Sequence, residues 1–90
     1  MKHVYPAIFH AGNDGWYSIS FPDLPGCHSQ GRTLTEAMEL AQAALSEWLQ
    51  YLADENESIP GASSIKEVET KSAAEFATLI YVEVPAQNAA

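Results

Sequence analysis

The sequence predicts a single α+β domain in which one long helix packs on one face of a small antiparallel sheet. Apolar and polar residues alternate in short segments near both ends of the chain, and apolar residues recur at helical spacing between them. With 90 residues, 47% of them hydrophobic, the chain has the size and composition of one small domain. We expect the order β-β-β-α-β with three or four strands, and room for a short extra helix. The domain is predicted over residues 1–85, followed by a flexible tail over residues 86–90.

The first three elements are predicted to be strands. Residues 3–10 form the first strand, and the turn-forming residues 12–15 connect it as a hairpin to a second strand over residues 16–21. Pro6 lies inside the first strand and lacks a backbone donor, which indicates an edge or a bulge there. A third, short strand is expected over residues 27–30.

Two local motifs define the turn before the third strand and the start of the helix. Pro25 and Gly26 suit the central positions of a type II turn, because proline presets the first φ and glycine adopts the positive second φ. Thr33 and Glu36 have the spacing of a capping box, in which each side chain bonds the backbone of the other residue. The helix is therefore expected to begin directly after Thr33.

The helix is predicted from Leu34 to Leu52 or Ala53, because the carboxylates that follow oppose the negative end of the helix dipole. An apolar stripe predicts the face that packs on the sheet; it comprises Leu34, Met38, Ala41, Leu45, Trp48, Leu49 and Leu52, with Ala37 beside it. Three apolar residues lie beside this stripe, towards Glu36 and Glu47; they are Leu40, Ala44 and Tyr51. They either widen the buried face or form an exposed apolar strip next to carboxylates, as protein interfaces do.

The remainder of the chain is less regular. Residues 54–77 are mostly predicted as loop, although Ser64 and Glu67 repeat the capping-box spacing and indicate one or two helical turns. Residues 78–84 alternate between polar and apolar types and are rich in β-branched side chains, which predicts a last strand.

The charge distribution points to a protein partner. Four basic and twelve acidic residues give a net charge of −8, and residues 33–58 hold six carboxylates with no lysine or arginine. Such a surface repels phosphates, so direct nucleic-acid binding is not expected, whereas a basic protein would be attracted. The simpler interpretation is a solvated helix face that maintains solubility. A lone cysteine, and no apolar segment of signal-peptide or membrane-spanning length, predict a cytoplasmic protein without membrane association.

No catalytic, metal or cofactor site is predicted. His3, His10 and His28 are too scattered for a metal motif, and Cys27 is better interpreted as a small buried hydrophobic residue than as a nucleophile. Asp23 has two interpretations. It is a turn residue whose carboxylate accepts backbone N–H bonds between residues 22 and 26, or it is a carboxylate presented to a basic partner.

Three stretches of the sequence carry a family resemblance; they are Tyr5-Pro6-Ala7-Ile8-Phe9, residues 15–27 with Phe21-Pro22-Asp23-Leu24-Pro25-Gly26-Cys27, and Gly31-Arg32-Thr33-Leu34-Thr35-Glu36-Ala37. Over residues 5–60, and again over residues 79–85, the chain resembles the N-terminal domain of HicB-type antitoxins. The resemblance implies a partial ribonuclease H-like fold and the silencing of a small ribonuclease toxin, HicA. HicB proteins usually continue into a ribbon-helix-helix or helix-turn-helix DNA-binding domain. Nothing in this chain resembles one, so operator binding is not expected of it.

We therefore predict a non-enzymatic, antitoxin-like binding module that covers the active site of a basic HicA-like ribonuclease. The candidate partner-binding residues are Trp16, Asp23, Glu36, Leu40, Glu47 and Tyr51. Two alternatives stay open: a metal-dependent nuclease on the same fold, for which the strands offer Glu83 alone, and an orphan oligomerising domain without a toxin. A homodimer or higher homo-oligomer is also expected, because one helix leaves the sheet edges and the second face of the sheet, with Trp16, uncovered. The apolar strip of Leu40, Ala44 and Tyr51 is the alternative surface for this pairing.

Overall fold

Four strands form one antiparallel sheet, and a single long helix covers one of its faces. The computed structural model describes residues 2–83. The elements in chain order are β1 (Lys2–Ala11), β2 (Tyr17–Ser20), β3 (His28–Gly31), α1 (Leu34–Asp54), a 3-10 turn (Ile65–Glu67) and β4 (Glu75–Glu83). The strand order across the sheet is β3-β2-β1-β4. This arrangement confirms the predicted α+β class and the order β-β-β-α-β, with four strands.

The core lies between α1 and the inner face of the sheet. The strands and the β2–β3 turn contribute Tyr5, Ala7, Phe9, Ile19, Phe21, Leu24, Cys27, Ile80 and Val82, and the helix contributes Ala37, Ala41, Leu45 and Leu49. Complete burial of a large apolar side chain stabilises a fold by about 1.5–3 kcal/mol relative to its exposure. The alternating apolar residues of β1, β2 and β4 therefore determine which face of the sheet receives the helix.

The position of Pro6 follows from the direction of the backbone groups along β1. The Ala11 N–H donates to the Ala74 carbonyl at 2.9 Å, and alternate residues of β1 bond β4 from there. Pro6, opposite Leu79, falls between these bonded pairs, and its nitrogen points to the other side of the strand. Pairing with β2 starts at Ile8, so Pro6 lies beyond the end of β2. β1 is an inner strand, so Pro6 does not mark an edge strand; it is accommodated because β2 ends before it and leaves that side of β1 unpaired at this position.

The turn before β3 has the predicted geometry, and the helix cap differs from it in one bond. Gly26 has a φ of 96°, and the Cys27 N–H donates to the Leu24 carbonyl at 2.9 Å, as in a type II turn. The Thr33 hydroxyl accepts from the Glu36 N–H at 3.0 Å. The Glu36 carboxylate accepts from the Arg32 N–H at 2.8 Å, one residue before the predicted Thr33 donor. The two bonds of the capping box are therefore both present, but the one from the Glu36 side chain reaches one residue further back than predicted.

The helix ends at Asp54, one residue beyond the predicted range. Asn56 has a φ of 55°, and its N–H donates to the Ala53 carbonyl at 3.1 Å. The Glu57 N–H donates to the Leu52 carbonyl at 2.8 Å. These bonds form a Schellman motif, which satisfies the last helical carbonyls from the backbone.

The predicted apolar stripe is wrong in the first turns of the helix, where two of its residues are exposed. Leu34 and Met38 are 43% and 39% exposed, whereas Ala37 and Ala41 are completely buried. The helix approaches β3 so closely that a Cβ added to Gly31 would lie 2.6 Å from the Ala37 nitrogen. Met38 lies about 100° round the helix from Ala37 and therefore points away from this contact.

The second capping box and the last strand follow α1. Ser64 and Glu67 form the predicted reciprocal box, which opens a single 3-10 turn. The last strand begins at Glu75, three residues before the predicted start at residue 78, because β4 pairs with β1 as far as Glu75 opposite His10. Residue 84 of the predicted strand and the predicted tail over residues 86–90 lie outside the described residues.

Candidate partner-binding surface

A strip of side chains is exposed along the side of α1 that borders β3. We call it the α1 flank; it comprises Leu40, Ala44, Glu47 and Tyr51. Leu40 is 42% exposed and Tyr51 is 55% exposed, while Ala44 is half-buried. The Cys27 thiol next to β3 donates to the Ala44 carbonyl at 3.8 Å, which places the flank beside the start of β3. Leu40 and Tyr51 are therefore exposed beside a carboxylate, Ala44 is exposed only in part, and partner binding by this strip stays a prediction.

A groove of about 220 Å³ separates the α1 flank from the turn before β3. It is lined by Gly26, Cys27, His28, Ala44, Glu47, Trp48 and Tyr51. The rings of Trp48 and Tyr51 lie 6.0 Å apart, and Trp48 also packs over Gly26, where an added Cβ would meet it at 3.0 Å. The groove therefore has an aromatic wall with a carboxylate at its rim, which suits an apolar side chain next to a basic one.

Cys27 forms part of the groove, and its thiol is expected to be unreactive as a nucleophile. Its side chain is buried, and burial raises the pKa of the thiol to about 11. The thiol is consequently protonated at neutral pH, and a protonated thiol is a poor nucleophile. The prediction that Cys27 acts as a small buried hydrophobic residue agrees with this position.

Glu36 and Trp16 lie near the β3 end of the sheet and are joined through Arg32. The Glu36 carboxylate accepts from the backbone N–H of Arg32, whose guanidinium lies 5.0 Å from the centre of the Trp16 ring. Trp16 is half-buried and borders a shallow cavity with Ser18 and Gln30 on the outer face of the sheet. Glu36 therefore continues the acidic side of α1, whereas Trp16 belongs to a different face of the molecule.

Asp23 has partners that neither of its two interpretations included. Its carboxylate accepts from the Ser63 N–H at 2.8 Å and from the Ser63 hydroxyl at 2.5 Å. These donors lie 40 residues away along the chain, so they replace the predicted donors between residues 22 and 26. Asp23 thus attaches the segment after α1 to the β2–β3 turn, and its oxygens are already hydrogen-bonded. Of the six candidate residues, the structure brings together Leu40, Glu47 and Tyr51, with Glu36 on the same side of the helix.

The free edge of β3 is a feature that sequence patterns did not identify. The Phe21 N–H donates to the Cys27 carbonyl at 3.3 Å, which fixes the alternation of bonded pairs between β2 and β3. Ser29 and Gly31 fall on the bonded positions. The N–H and C=O groups of His28 and Gln30 therefore point away from β2, to the open side of the sheet. Strand order, which depends on long-range pairing, was needed to find this edge.

The outer face of the sheet is also partly apolar. Val4, Leu79 and Tyr81 are 40%, 48% and 45% exposed, and the strand register places all three on the face opposite α1. Among residues 2–83, no three histidine, cysteine, aspartate or glutamate side chains stand close enough together to hold a metal ion. The described part of the chain also has no helix with the length and apolarity that crossing a membrane requires.

Comparison with known proteins places this chain in a family. The model of the HicB-like antitoxins of bacterial toxin–antitoxin systems matches residues 5–89. Antitoxin HicB of Escherichia coli K12 is 39% identical over 56 residues, which are 62% of this chain and 41% of that protein. The chain spans about half the length, or less, of several curated relatives that it matches.

Two solved structures have the same fold. A chain of a toxin–antitoxin complex from Streptococcus pneumoniae superposes with a TM-score of 0.83 at 21% identity, over 97% of this chain and 76% of that one. The N-terminal domain of Burkholderia pseudomallei antitoxin HicB superposes with a TM-score of 0.78 at 25% identity, over 91% of this chain and all of that one. With a family match that covers nearly its whole length, this chain belongs to the HicB-like antitoxins of bacterial toxin–antitoxin systems.

Proposed function

We propose that this chain is an antitoxin module that binds a small basic HicA-type ribonuclease and covers its active site. The observation that supports the proposal most directly is the α1 flank, where exposed Leu40 and Tyr51 adjoin Glu36 and Glu47. Exposed apolar side chains next to like-signed charges are typical of a surface that receives an oppositely charged protein. Membership of an antitoxin family supports the same function.

The proposed action requires no chemistry by the antitoxin. Six carboxylates and no basic residue between positions 33 and 58 attract a basic toxin over several ångströms. The apolar side chains of the α1 flank then hold the toxin once water has been excluded. Because the long-range attraction is screened by salt, the association rate should fall steeply with ionic strength, while the dissociation rate changes less. A cytoplasmic location, where Cys27 stays reduced, fits the protection of cellular RNA.

The test is to identify a small basic protein encoded in a neighbouring reading frame and to measure whether this chain neutralises it. We expect Leu40→Glu to lower its affinity at least tenfold and to abolish growth rescue on co-expression, because it places a charge in the apolar strip. Ala43→Glu is the matched control, since it adds the same charge to an exposed position on another side of α1. The proposal is contradicted if the neighbouring protein does not bind, or if both variants bind it like the parent.

We further propose that the chain self-associates as a homodimer through the outer face of the sheet. Val4, Leu79 and Tyr81 leave an apolar area there, and two-fold pairing would bury it against itself. Trp16 lies at another corner of the same face. Sedimentation should give a dimer that Leu79→Asp converts to a monomer. Trp16→Ser should weaken the dimer if the interface extends to the corner of the face where Trp16 lies. A parent that sediments as a monomer at high micromolar concentration would overturn this proposal.

A further inference from the structure

The two edges of the sheet are not equivalent. On β4, alternate residues direct their backbone groups to the open side, and Tyr81 is one of them. The amide of Gln42 on α1 reaches over this edge and donates to the Tyr81 carbonyl at 2.9 Å. On β3, the backbone groups of His28 and Gln30 that face the open side have no hydrogen-bond partner among residues 2–83. The β4 edge is thus partly closed by a side chain, and the β3 edge is open.

The open β3 edge adjoins the groove of the α1 flank. Gly26, Cys27 and His28 form one side of the groove, and α1 forms the other. A strand added to β3 would place alternate side chains on the inner side of the sheet, next to this groove. An apolar side chain there would meet Trp48 and Tyr51, and a basic one would reach Glu47. The backbone edge and the side-chain groove therefore form one continuous surface.

We propose that the protein partner docks by adding an extended segment to the β3 edge, pairing with the backbone of His28 and Gln30. The segment belongs to a basic protein and inserts an apolar residue into the groove, with a lysine or arginine beside Glu47. Strand addition of this kind derives affinity from main-chain hydrogen bonds and specificity from pockets for alternate side chains. This inference rests on the proposed function and specifies how the same surface engages its partner.

Charge favours a basic partner over a second copy of this chain at this edge. Each copy has a net charge of −8, and pairing of β3 with its own copy would bring two acidic α1 flanks towards each other. Like charges across an interface oppose association, whereas a basic segment neutralises the flank. A second copy has an alternative apolar surface on the outer face of the sheet, next to Leu79 and Tyr81.

Proline substitution tests the proposal on the backbone itself. Gln30→Pro removes an N–H that points to the open edge and leaves the bonds between β2 and β3 intact, a position where sheets tolerate proline. We expect at least a tenfold loss of affinity for the neighbouring basic protein. Gln30→Thr keeps the N–H and should bind within twofold of the parent. Ala77→Pro removes an N–H at the open side of β4 and should also bind within twofold.

Circular dichroism melts establish that each variant folds, and amide exchange in the unaltered complex gives an independent measurement. The His28 and Gln30 amides should exchange rapidly in the free protein and become protected when the partner binds. The proposal is overturned by the following combination of results. The parent binds and Leu40→Glu weakens binding, but Gln30→Pro binds like the parent, and the His28 and Gln30 amides stay unprotected in the unaltered complex. It is also overturned if Gln30→Pro dissociates a homodimer and leaves partner binding unchanged. Loss of the proposed function is a different result, in which the parent itself does not bind.

Discussion

The turn-and-cap segment, residues 21–36, and the connecting segment, residues 57–74, are stabilised over different distances along the chain. In the first, Leu24 bonds Phe21, and Glu36 bonds Arg32 and Thr33, so every one of these partners lies within four residues. The connecting segment is attached to the rest of the fold by hydrogen bonds across 40 and 55 residues. The comparison shows that neighbouring residues specify the turn and the helix cap of the first segment, whereas long-range bonds fix where the connecting segment lies, although its Ser64 box is local.

Two long-range bonds attach the connecting segment. The Asp23 carboxylate binds Ser63, and the hydroxyl of buried Tyr5 donates to the Pro60 carbonyl. Few side chains of this segment are buried, and Gly61 has no atom within 4 Å of an added Cβ. Because few apolar contacts support the segment, it should open at a lower free energy than the core. Substitutions in the two regions should therefore have different and separable effects.

The largest effect is expected for Gly31→Ala. An added Cβ would lie 2.6 Å from the backbone nitrogen of Ala37, so strand and helix must separate. Overpacking of this kind costs about 3 kcal/mol where the opposing atoms belong to the backbone. Gly61→Ala is the control in the connecting segment, where the open space predicts a change of a few tenths of a kcal/mol. Equal melting temperatures for the two variants would show that α1 does not press on β3.

The turn-and-cap segment was predictable because its signals are local. Pro25 and Gly26 determine a type II turn, and Thr33 determines the helix start, whatever the rest of the chain does. The same holds for the Ser64 box. The Glu36 carboxylate accepts from the backbone N–H of Arg32 instead of that of Thr33. Residue spacing does not determine which of two adjacent N–H groups a flexible side chain reaches.

A smaller loss of stability is expected for Asp23→Ala. The substitution removes both hydrogen bonds to Ser63, and bonds to a charged group contribute about 2 kcal/mol. The connecting segment should also become susceptible to limited proteolysis at residues 57–64 while the core stays folded. Asp14→Ala is the control, because it loses one exposed bond to the Trp16 N–H within a hairpin turn. If Asp23→Ala weakens partner binding without loosening the segment, Asp23 is a contact residue after all.

The functional surface was predictable in its side chains and not in its backbone. The 3.6-residue period placed Leu40 and Tyr51 beside the apolar stripe, and both are exposed. The same period placed Leu34 and Met38 inside the stripe, where the close approach of α1 to Gly31 overrides it. The edge position of β3 depends on pairing among residues far apart in sequence. No local pattern contains that information, so it came from the tertiary structure.

Loss of the second long-range bond, between Tyr5 and Pro60, should change the stability less. Tyr5→Phe removes the donor to the Pro60 carbonyl and should lower the free energy of unfolding by about 1 kcal/mol. Burial, and the charge of Asp23, raise the pKa of the Tyr5 hydroxyl above its ordinary value of 10.0. A raised pKa stabilises the fold at pH values below 10.0, and this contribution is lost as pH rises through the folded pKa. Chemical unfolding at increasing alkaline pH should therefore show parent and variant converging; a constant difference would contradict the tether.

The smallest effect concerns Glu75, where the connecting segment enters β4. Its carboxylate accepts from the Lys71 N–H at 2.6 Å and lies 3.4 Å from the His10 ring nitrogen. The hydrogen bond from Lys71, and then His10, lower the pKa of Glu75 below its ordinary value of 4.5. A lowered pKa stabilises the fold above pH 4.5, and this contribution disappears as pH falls through the folded pKa. The Lys71 amide shift should therefore titrate at a pH below 4.5, and Glu75→Gln should abolish that titration with little change in melting temperature. A Lys71 amide that titrates at or above pH 4.5 would show that the connecting segment is not attached at this point.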